Sequence, residues 1–204
     1  TLLHDVMRRF GERLQAEKRR WSEVSDEERH QLTAKIMAEE APQVQNEILL
    51  STAQYQNLQE RIARTAESSL ARLSAYDAQS AFHELHFGEE SPFGSLVHYE
   101  LDESCTLDVV GQIDRVDLSR LEEGGPLYFL VIDYKSGRTD LSLDEVYYGL
   151  RLQLLTYVLA TSRILQKEMI QQKPAGMLYC LLQNPRQEGK TSAFRREEAC
   201  GALW

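Results

Sequence analysis

The sequence has few cysteines and no cysteine motif. The 204 residues include only Cys105, Cys180 and Cys200, which are widely spaced, and no CxxC pair occurs. An odd number of scattered cysteines argues against a disulfide framework and against a zinc site built from them alone. We therefore expect a cytoplasmic protein without structural disulfides.

The sequence also lacks a long hydrophobic run and a secretory leader. The longest apolar stretches, such as PLYFLVI, are far too short to cross a bilayer. No charged-then-apolar segment opens the chain, and we expect no membrane partner. The chain begins with Thr1 instead of Met and ends with CGALW, which we interpret as a piece of a longer protein.

The chain has fewer basic residues than acidic residues. The chain has 23 Lys and Arg residues against 32 Asp and Glu residues, for a net charge of −9. A protein that coats nucleic acid without sequence preference carries a basic surface, so this class is disfavoured. A metal-dependent nuclease is not excluded, because bound divalent cations neutralise nearby carboxylates.

The sequence does have an ordinary globular composition, 42% hydrophobic and 27% charged. Its length fits a single domain over residues 1–204. Residues 1–78 are predicted to be mostly helical, because apolar residues recur at spacings of three and four in three segments. Ser25 caps the second segment, which should end near Pro42. The third segment carries one apolar stripe, formed by Leu58, Ile62, Ala66, Leu70 and Leu73.

Residues 80–185 change to a strand-like pattern. The predicted strands are SAFHELHF, LVHYEL, TLDVVGQIDRVDL, PLYFLVIDY and PAGMLYCLLQNP. One long helix, SLDEVYYGLRLQLLTYVLATSRILQKEM, precedes the last strand and begins with a capping box formed by Ser142 and Glu145. Residues 186–204 are a weakly specified tail. This order predicts an α/β or α+β layered domain built on one sheet.

Two acids and a lysine lie inside the apolar strand-like segments. Charge is costly there unless it is compensated. If the two strands form a hairpin centred near residues 122 and 123, Asp114 lies opposite Val131 and about 7–8 Å, one diagonal step, from Asp133. Lys135 is two residues beyond Asp133 and emerges on the same face. A register shift of one residue would move Asp114 to the other face.

This set of side chains has a coherent chemistry. Two carboxylates and a backbone carbonyl are hard oxygen ligands that suit Mg²⁺ or Mn²⁺. Such a cation polarises a phosphodiester and lowers the pKa of a bound water. A nearby lysine can orient or deprotonate that water, or stabilise the developing charge. The alternative is a structural ion pair with one spare acid, although a buried pair adds little stability.

The motifs GQIDRVD, VIDYKSG and QLLTY, in this order, resemble the RecB-type branch of the PD-(D/E)XK nuclease superfamily, and within it the AddB-type nuclease domains of bacterial helicase–nucleases. The resemblance covers residues 80–185 and the opening helix through His4. It implies a restriction-endonuclease-like mixed sheet flanked by helices, with a helical N-terminal insertion. It also implies an exonuclease that acts on single-stranded DNA beside an AddA-like helicase, in double-strand break repair and recombination.

The resemblance assigns roles to individual residues. It implies that Asp114, Asp133 and Lys135 are catalytic. It implies that His4, in TLLHDVM, and the backbone carbonyl of Tyr134 join Asp114 and Asp133 as ligands of Mg²⁺ or Mn²⁺.

Gln153 and Tyr157 match a further family element, whose two residues would contact the DNA backbone and brace the site. Their separation of four places them on one helix face. Simpler interpretations stay open: His4 as an ordinary helical histidine, and Gln153 and Tyr157 as packing residues beside Tyr147, Leu150 and Leu154.

The cysteines depart from the family pattern. AddB-type domains resemble iron–sulfur proteins with one cysteine before the histidine helix and three clustered after the last strand. Here Cys180 lies inside a predicted strand and Cys200 is alone near the end. We expect no iron–sulfur cluster in this chain, and loose termini in its absence.

Two other functions remain open. One is a Cas4-like or phage exonuclease of the same superfamily, although the helical insertion over residues 20–78 and the wording YYGLRLQLLTY favour the AddB type. The other is a catalytically silent scaffold for DNA scanning or for assembly with a partner protein. The intact acidic pair and lysine argue against the scaffold.

Overall fold

A computed structural model describes residues 1–43, 53–75, 79–94, 96–102, 104–137, 139, 142–167, 171–182 and 200–203. The helices are α1 (Leu2–Ala16), α2 (Asp26–Glu40), α3 (Ala53–Ser74), α4 (Leu143–Tyr147) and α5 (Gln153–Lys167). The strands are β1 (Gln79–Phe87), β2 (Val97–Asp102), β3 (Cys105–Val109), β4 (Gly111–Arg120), β5 (Leu127–Lys135), β6 (Gln172–Leu181) and β7 (Cys200–Leu203). This composition confirms the α/β class. No helix in the described ranges has the length and apolar character needed to span a membrane.

The three predicted N-terminal helices are present. Ser25 caps α2, since its hydroxyl oxygen accepts a hydrogen bond of 3.2 Å from the Glu28 amide. α2 ends at Glu40, just before Pro42, and a short 3₁₀ turn follows. On α3 the apolar stripe is buried at Ala66, Leu70 and Leu73.

The main sheet has five strands in the order β1-β4-β5-β6-β7. β4 and β5 are antiparallel. β6 runs parallel to β5. The Leu127 amide, at the start of β5, donates a hydrogen bond to the Gln171 carbonyl just before β6, and the Leu182 amide, just after β6, donates to the Lys135 carbonyl at the end of β5. α4 and α5 form the crossover that a parallel connection requires.

The predicted strand TLDVVGQIDRVDL is in fact two strands. β3 pairs with β2 in a separate two-stranded sheet, whereas β4 joins the main sheet. Gly111 begins β4 where a Cβ atom would lie 2.7 Å from the Phe87 ring. The two halves therefore hydrogen-bond to different partners, which apolar content alone could not reveal.

The predicted hairpin register was wrong by two residues. Val131 lies opposite Val116, not Asp114, and the pairing continues to Arg120↔Leu127. β4 extends further into the SRLEEGG segment than expected, and the turn uses Gly124 at φ +76° with a bond from the Gly125 amide to the Glu122 carbonyl. A shift of two residues preserves which residues share a face.

The single long helix predicted from Ser142 was also wrong. The cap is present, with Ser142 Oγ accepting from the Glu145 amide at 3.4 Å, but α4 ends at Tyr147. Gly149 at φ +73° leaves the helical conformation, and α5 begins only at Gln153. The apolar periodicity runs through this break and conceals it.

The predicted tail contains a strand. Residues 200–203 form β7, which pairs antiparallel with β6 through Met177↔Leu203 to Cys180↔Cys200. The rest of the tail, residues 186–199 and 204, lies outside the described residues. β7 depends on a partner strand distant in sequence, so no local pattern signals it.

The chain divides into two compact units that interleave in sequence. Unit 1 comprises Thr1–Ser80, Tyr134–Thr139 and Leu181–Ala199, and its helices α1, α2 and α3 pack on one another. Its buried side chains include Phe10 and Trp21, whose rings meet edge to face at 5.1 Å.

Unit 2 comprises Ala81–Asp133, Asp140–Cys180 and Cys200–Trp204. Its core joins the sheet to α5. The buried cluster is Leu85, Phe87, Leu96, Ile113, Val116, Phe129, Val131, Ala160, Ile164 and Leu165. This core anchors β4, β5 and α5, the three elements that carry most of the predicted site.

Candidate nuclease site

The last residues of β5 carry three of the predicted site positions. Phe129 and Val131 bury the strand in the core of unit 2. Asp133 and Tyr134 follow and are each only 3% exposed, and Lys135 is half-buried at the strand end. Because side chains alternate along a strand, Asp133 and Lys135 emerge on one side of β5 and Tyr134 on the other.

Within unit 2, Gln153 and Tyr157 lie beside Asp133. The Gln153 amide nitrogen donates to Asp133 Oδ1 at 3.1 Å and to the Tyr157 hydroxyl oxygen at 2.9 Å. Their spacing of four residues at the start of α5 places both on one face. A neutral donor thus holds the buried carboxylate in one orientation without cancelling its charge.

Within unit 1, His4 lies beside Tyr134, 130 residues away in sequence. The distance from His4 Nε2 to the Tyr134 carbonyl oxygen is 2.9 Å, and His4 Nδ1 lies 2.7 Å from Thr1 Oγ1. With its proton on Nε2 the ring donates to the carbonyl. With the proton on Nδ1 it donates to Thr1 and leaves Nε2 as an acceptor.

Lys135 is held through its backbone. Its carbonyl oxygen accepts a hydrogen bond of 2.8 Å from the Leu182 amide, at the end of β6. This bond fixes the end of β5 within unit 1, so the backbone position from which the Lys135 side chain emerges is defined by sheet pairing.

Asp114 lies where the alternation of β4 changes phase. Gly111 and Ile113 contribute to the core on the side of Phe87. Val116, only three residues after Ile113, contributes to the same core, and so does Leu118. Strict alternation therefore does not hold between Ile113 and Val116, as at a β-bulge. The register defines the pairing of β4 with β5 from Arg115↔Ile132 onwards. A common side for Asp114 and Asp133 stays a prediction.

A buried ion pair follows Asp114 directly. Arg115 Nε and Nη2 donate to the two carboxylate oxygens of Asp117 at 2.6 and 2.8 Å, and these side chains are 1% and 4% exposed. The bidentate geometry compensates both buried charges.

The carboxylate and carbonyl oxygens of Asp114, Asp133 and Tyr134 are donors that suit a hard divalent cation. His4 Nε2 lies at hydrogen-bonding distance, 2.9 Å, from the Tyr134 carbonyl oxygen. Over the ranges that the structure describes, no three or more His, Cys, Asp and Glu side chains are grouped so as to hold a metal ion. Ligation by His4, Asp114 and Asp133 therefore stays a prediction.

The segment between α4 and α5 differs from its expected packing role. Leu154 is buried, but Tyr147 is 84% exposed and Leu150 is 75% exposed. Tyr148, which the sequence did not single out, is 74% exposed. The glycine at position 149 within an apolar helical pattern was the available signal that these residues leave the helix.

Comparison with known proteins extends over nearly the whole chain. Residues 1–201 match the PD-(D/E)XK nuclease superfamily. The chain is 37% identical over 202 residues to the B-type subunit of the ATP-dependent helicase/deoxyribonuclease of Desulforamulus reducens, which is 96% of this chain and 17% of that protein. It is 35% identical over 206 residues to the protein of the same name in Bacillus anthracis, again 96% of this chain and 17% of the relative.

The chain therefore spans about a sixth of the length of these relatives. Its five-stranded sheet with flanking helices has the restriction-endonuclease-like architecture that the three motifs predicted. The chain belongs to the PD-(D/E)XK nuclease superfamily.

Proposed function

We propose that this chain hydrolyses phosphodiester bonds of DNA with the help of Mg²⁺ or Mn²⁺. The observation that carries the proposal is the contact between His4 Nε2 and the Tyr134 carbonyl oxygen at 2.9 Å. This contact joins α1 to the residue that follows Asp133 in the chain. The two partners are 130 residues apart in sequence. Two groups that the family resemblance marked as ligands are thereby neighbours.

Each residue has a role in the proposed reaction. Asp114, Asp133, His4 and the Tyr134 carbonyl would hold the cation, which supplies a water of lowered pKa and polarises the phosphodiester. Lys135 orients the attacking water and stabilises negative charge on the phosphoryl oxygens. Gln153 holds the Asp133 carboxylate in position and, with Tyr157, contacts the DNA backbone.

The relatives' names extend the proposal to the longer protein. They are named as subunits of ATP-dependent helicase/deoxyribonucleases. We propose that this chain is the nuclease domain of such an AddB-type subunit. It would act as an exonuclease on single-stranded DNA that an AddA-like helicase partner delivers, in double-strand break repair and recombination. This substrate and partner would place the protein in the cytoplasm.

We do not propose an iron–sulfur cluster in this chain. A cluster is held by four cysteine thiolates in most proteins, and the sequence has three cysteines. Cys105 is exposed on β3 and Cys180 is buried in β6, on strands of different sheets.

The test is cleavage of end-labelled single-stranded DNA by wild type and by Asp133→Asn, with Mg²⁺ titrated from a chelated, metal-free start. Asp133→Asn keeps the side-chain volume but removes the charge, so we expect the rate to fall at least about 100-fold. Asp108→Asn is the matched control. Asp108 is an exposed carboxylate on β3 that pairs with His98 at 2.8 Å, and its loss should leave the rate unchanged.

Equal rates for wild type and Asp133→Asn would end the catalytic proposal. A wild-type protein that binds DNA but does not cleave it at any Mg²⁺ or Mn²⁺ concentration would favour the silent scaffold. Cleavage without any dependence on a partner helicase would favour an exonuclease of the Cas4-like or phage type.

A further inference from the structure

An exposed apolar segment lies between α4 and α5 in unit 2. Its large apolar side chains are exposed at every position from the end of α4 to the first turn of α5 except Leu154. They are Tyr147, Tyr148, Leu150, Leu152 and Leu155. The two most prominent rings, Tyr147 and Tyr148, lie edge to face with centroids 5.3 Å apart. Such a concentration of exposed aromatic and aliphatic surface marks an interaction site.

The segment is held in place by its own hydrogen bonds. The Glu145 carbonyl oxygen accepts from the Leu150 amide at 2.7 Å and from the Arg151 amide at 3.2 Å. The Arg151 guanidinium also forms an ion pair with the Glu145 carboxylate. Gly149, at φ +73°, makes the reversal possible. The two tyrosine rings therefore project from a defined loop, which lowers the entropy cost of binding a partner to them.

The segment leads directly to the proposed active site. α5 begins at Gln153, five residues after Tyr148, and the Gln153 amide donates to Asp133 at 3.1 Å. Five residues of fully extended chain span at most about 18 Å. The tyrosines therefore lie a short stretch of chain from the residue that contacts Asp133.

The charge of the segment indicates how a partner would be held. From Ser142 to Tyr157 the charged residues are Asp144, Glu145 and Arg151, which sum to −1. Such a surface does not attract phosphates. Its binding energy must come from apolar contact, and flat aromatic rings suit the faces of nucleobases.

We propose that Tyr147 and Tyr148 form a stacking platform for the bases of single-stranded DNA that enters the nuclease site. This inference rests on the proposed function and adds a binding site for the bases of its substrate. Bases are free to stack on a protein ring only when the strand is unpaired, because in a duplex their faces are already covered. Stacking is tolerant of sequence, which suits an enzyme that must degrade any strand.

The test measures DNA binding without cleavage. The full-length protein is titrated, in chelator, against a fluorescent thymidine oligonucleotide and against an abasic oligonucleotide of equal length. Stacking contributes about 1–3 kcal/mol per base, so Tyr147→Ala/Tyr148→Ala should weaken binding to the thymidine strand by about tenfold or more. Binding to the abasic strand should not change. Tyr147→Phe/Tyr148→Phe keeps both rings and should bind both strands as wild type does.

Two controls separate stacking from other causes. Tyr99→Ala removes an exposed tyrosine from β2, in the separate hairpin, and should leave DNA binding unchanged. Leu121→Ala removes an exposed aliphatic side chain from the turn between β4 and β5 and should also leave DNA binding unchanged. The replaced side chains are exposed, so the unfolding midpoints of all variants should match wild type.

The inference is overturned if the double alanine variant binds the thymidine strand as wild type does, or loses equal affinity for the abasic strand. It is also overturned if that variant loses a protein partner but not DNA, because the segment is then a protein interface. If wild type cleaves DNA and the alanine variant binds DNA normally, this inference fails and the proposed function stands. If wild type binds DNA through these tyrosines but never cleaves it, the proposed function fails and this inference stands.

Discussion

Gln153 is the residue through which α5 acts on the proposed catalytic carboxylate. One amide nitrogen donates to Asp133 Oδ1 and to the Tyr157 hydroxyl. Asp133 is 3% exposed, and a buried carboxylate depends on such donors for its orientation. Gln153 itself is exposed, which places it between the carboxylate and solvent.

Gln153→Ala should therefore reduce turnover more than it reduces stability. A displacement of about 1 Å in a catalytic group can cost about 100-fold in rate, so we expect kcat to fall about 100-fold. The free energy of unfolding should fall by no more than about 1.5 kcal/mol, since the Gln153 side chain is on the surface and water can replace part of the lost hydrogen bond. Steady-state cleavage and urea unfolding measure the two quantities. Gln166→Ala, at an exposed position on the same helix, is the matched control and should alter neither.

A loss of stability equal to the loss of activity would contradict a positioning role for Gln153. The same conclusion would follow if Gln166→Ala lowered kcat to a similar extent, because the effect would then belong to α5 as a whole.

The sequence predicted the types and positions of the proposed site residues, but not their contacts. Asp133 and Lys135 stand out because charge interrupts an apolar strand. Gln153 and Tyr157 were identified by the family resemblance, and their spacing of four places them on one helix face. The 3.1 Å bond from Gln153 to Asp133 depends on how α5 packs against β5. No local pattern contains that information.

At the scale of elements, the break between α4 and α5 has a single identifiable cause. Gly149 adopts φ +73°, and no atom lies within 4 Å of the position where a Cβ would be. The cost of a side chain there is therefore backbone strain alone, without steric overlap. Gly137 offers a comparison, because it also has open space around it but no positive φ.

Gly149→Ala should lower the free energy of unfolding by about 1 kcal/mol, because a left-handed conformation is costly for alanine. Gly137→Ala should be neutral to within about 0.5 kcal/mol. Urea unfolding of the two variants beside wild type measures the difference. If Gly149→Ala were as stable as wild type, the loop would tolerate another conformation, and the tyrosines would not project from a fixed support.

Some features of the elements are determined by residues nearby in sequence, and others by residues distant in sequence. The Ser25 and Ser142 caps were predictable because a cap is satisfied by an amide three residues away. The register of β4 on β5 and the existence of β7 depend on partners distant in sequence. The helix break was missed because Leu150 and Leu154 continue an apolar spacing that the backbone does not follow.

At the scale of the whole molecule, net charge opposes the proposed substrate. The chain carries −9, whereas DNA binding draws much of its affinity from lysine and arginine contacts to phosphates. Several arginines are already paired within unit 1: Arg9 with Glu40, Arg13 with Glu39 and Arg19 with Glu28. We propose that the remainder of the longer protein supplies most of the basic track that holds the strand, while this chain supplies the catalytic groups and aromatic contacts.

This division predicts different salt dependences for the isolated chain and the full-length protein. Each neutralised phosphate on a single strand contributes about −0.7 to the slope of log K against log salt concentration. We expect the isolated chain to bind single-stranded DNA weakly, with a slope shallower than about −2, and the full-length protein to bind tightly with a steeper slope. Fluorescence anisotropy in chelator over a series of salt concentrations measures both. Tight, strongly salt-dependent binding by the isolated chain would show that its own surface grips the phosphates despite the net charge, and the proposed division would fail.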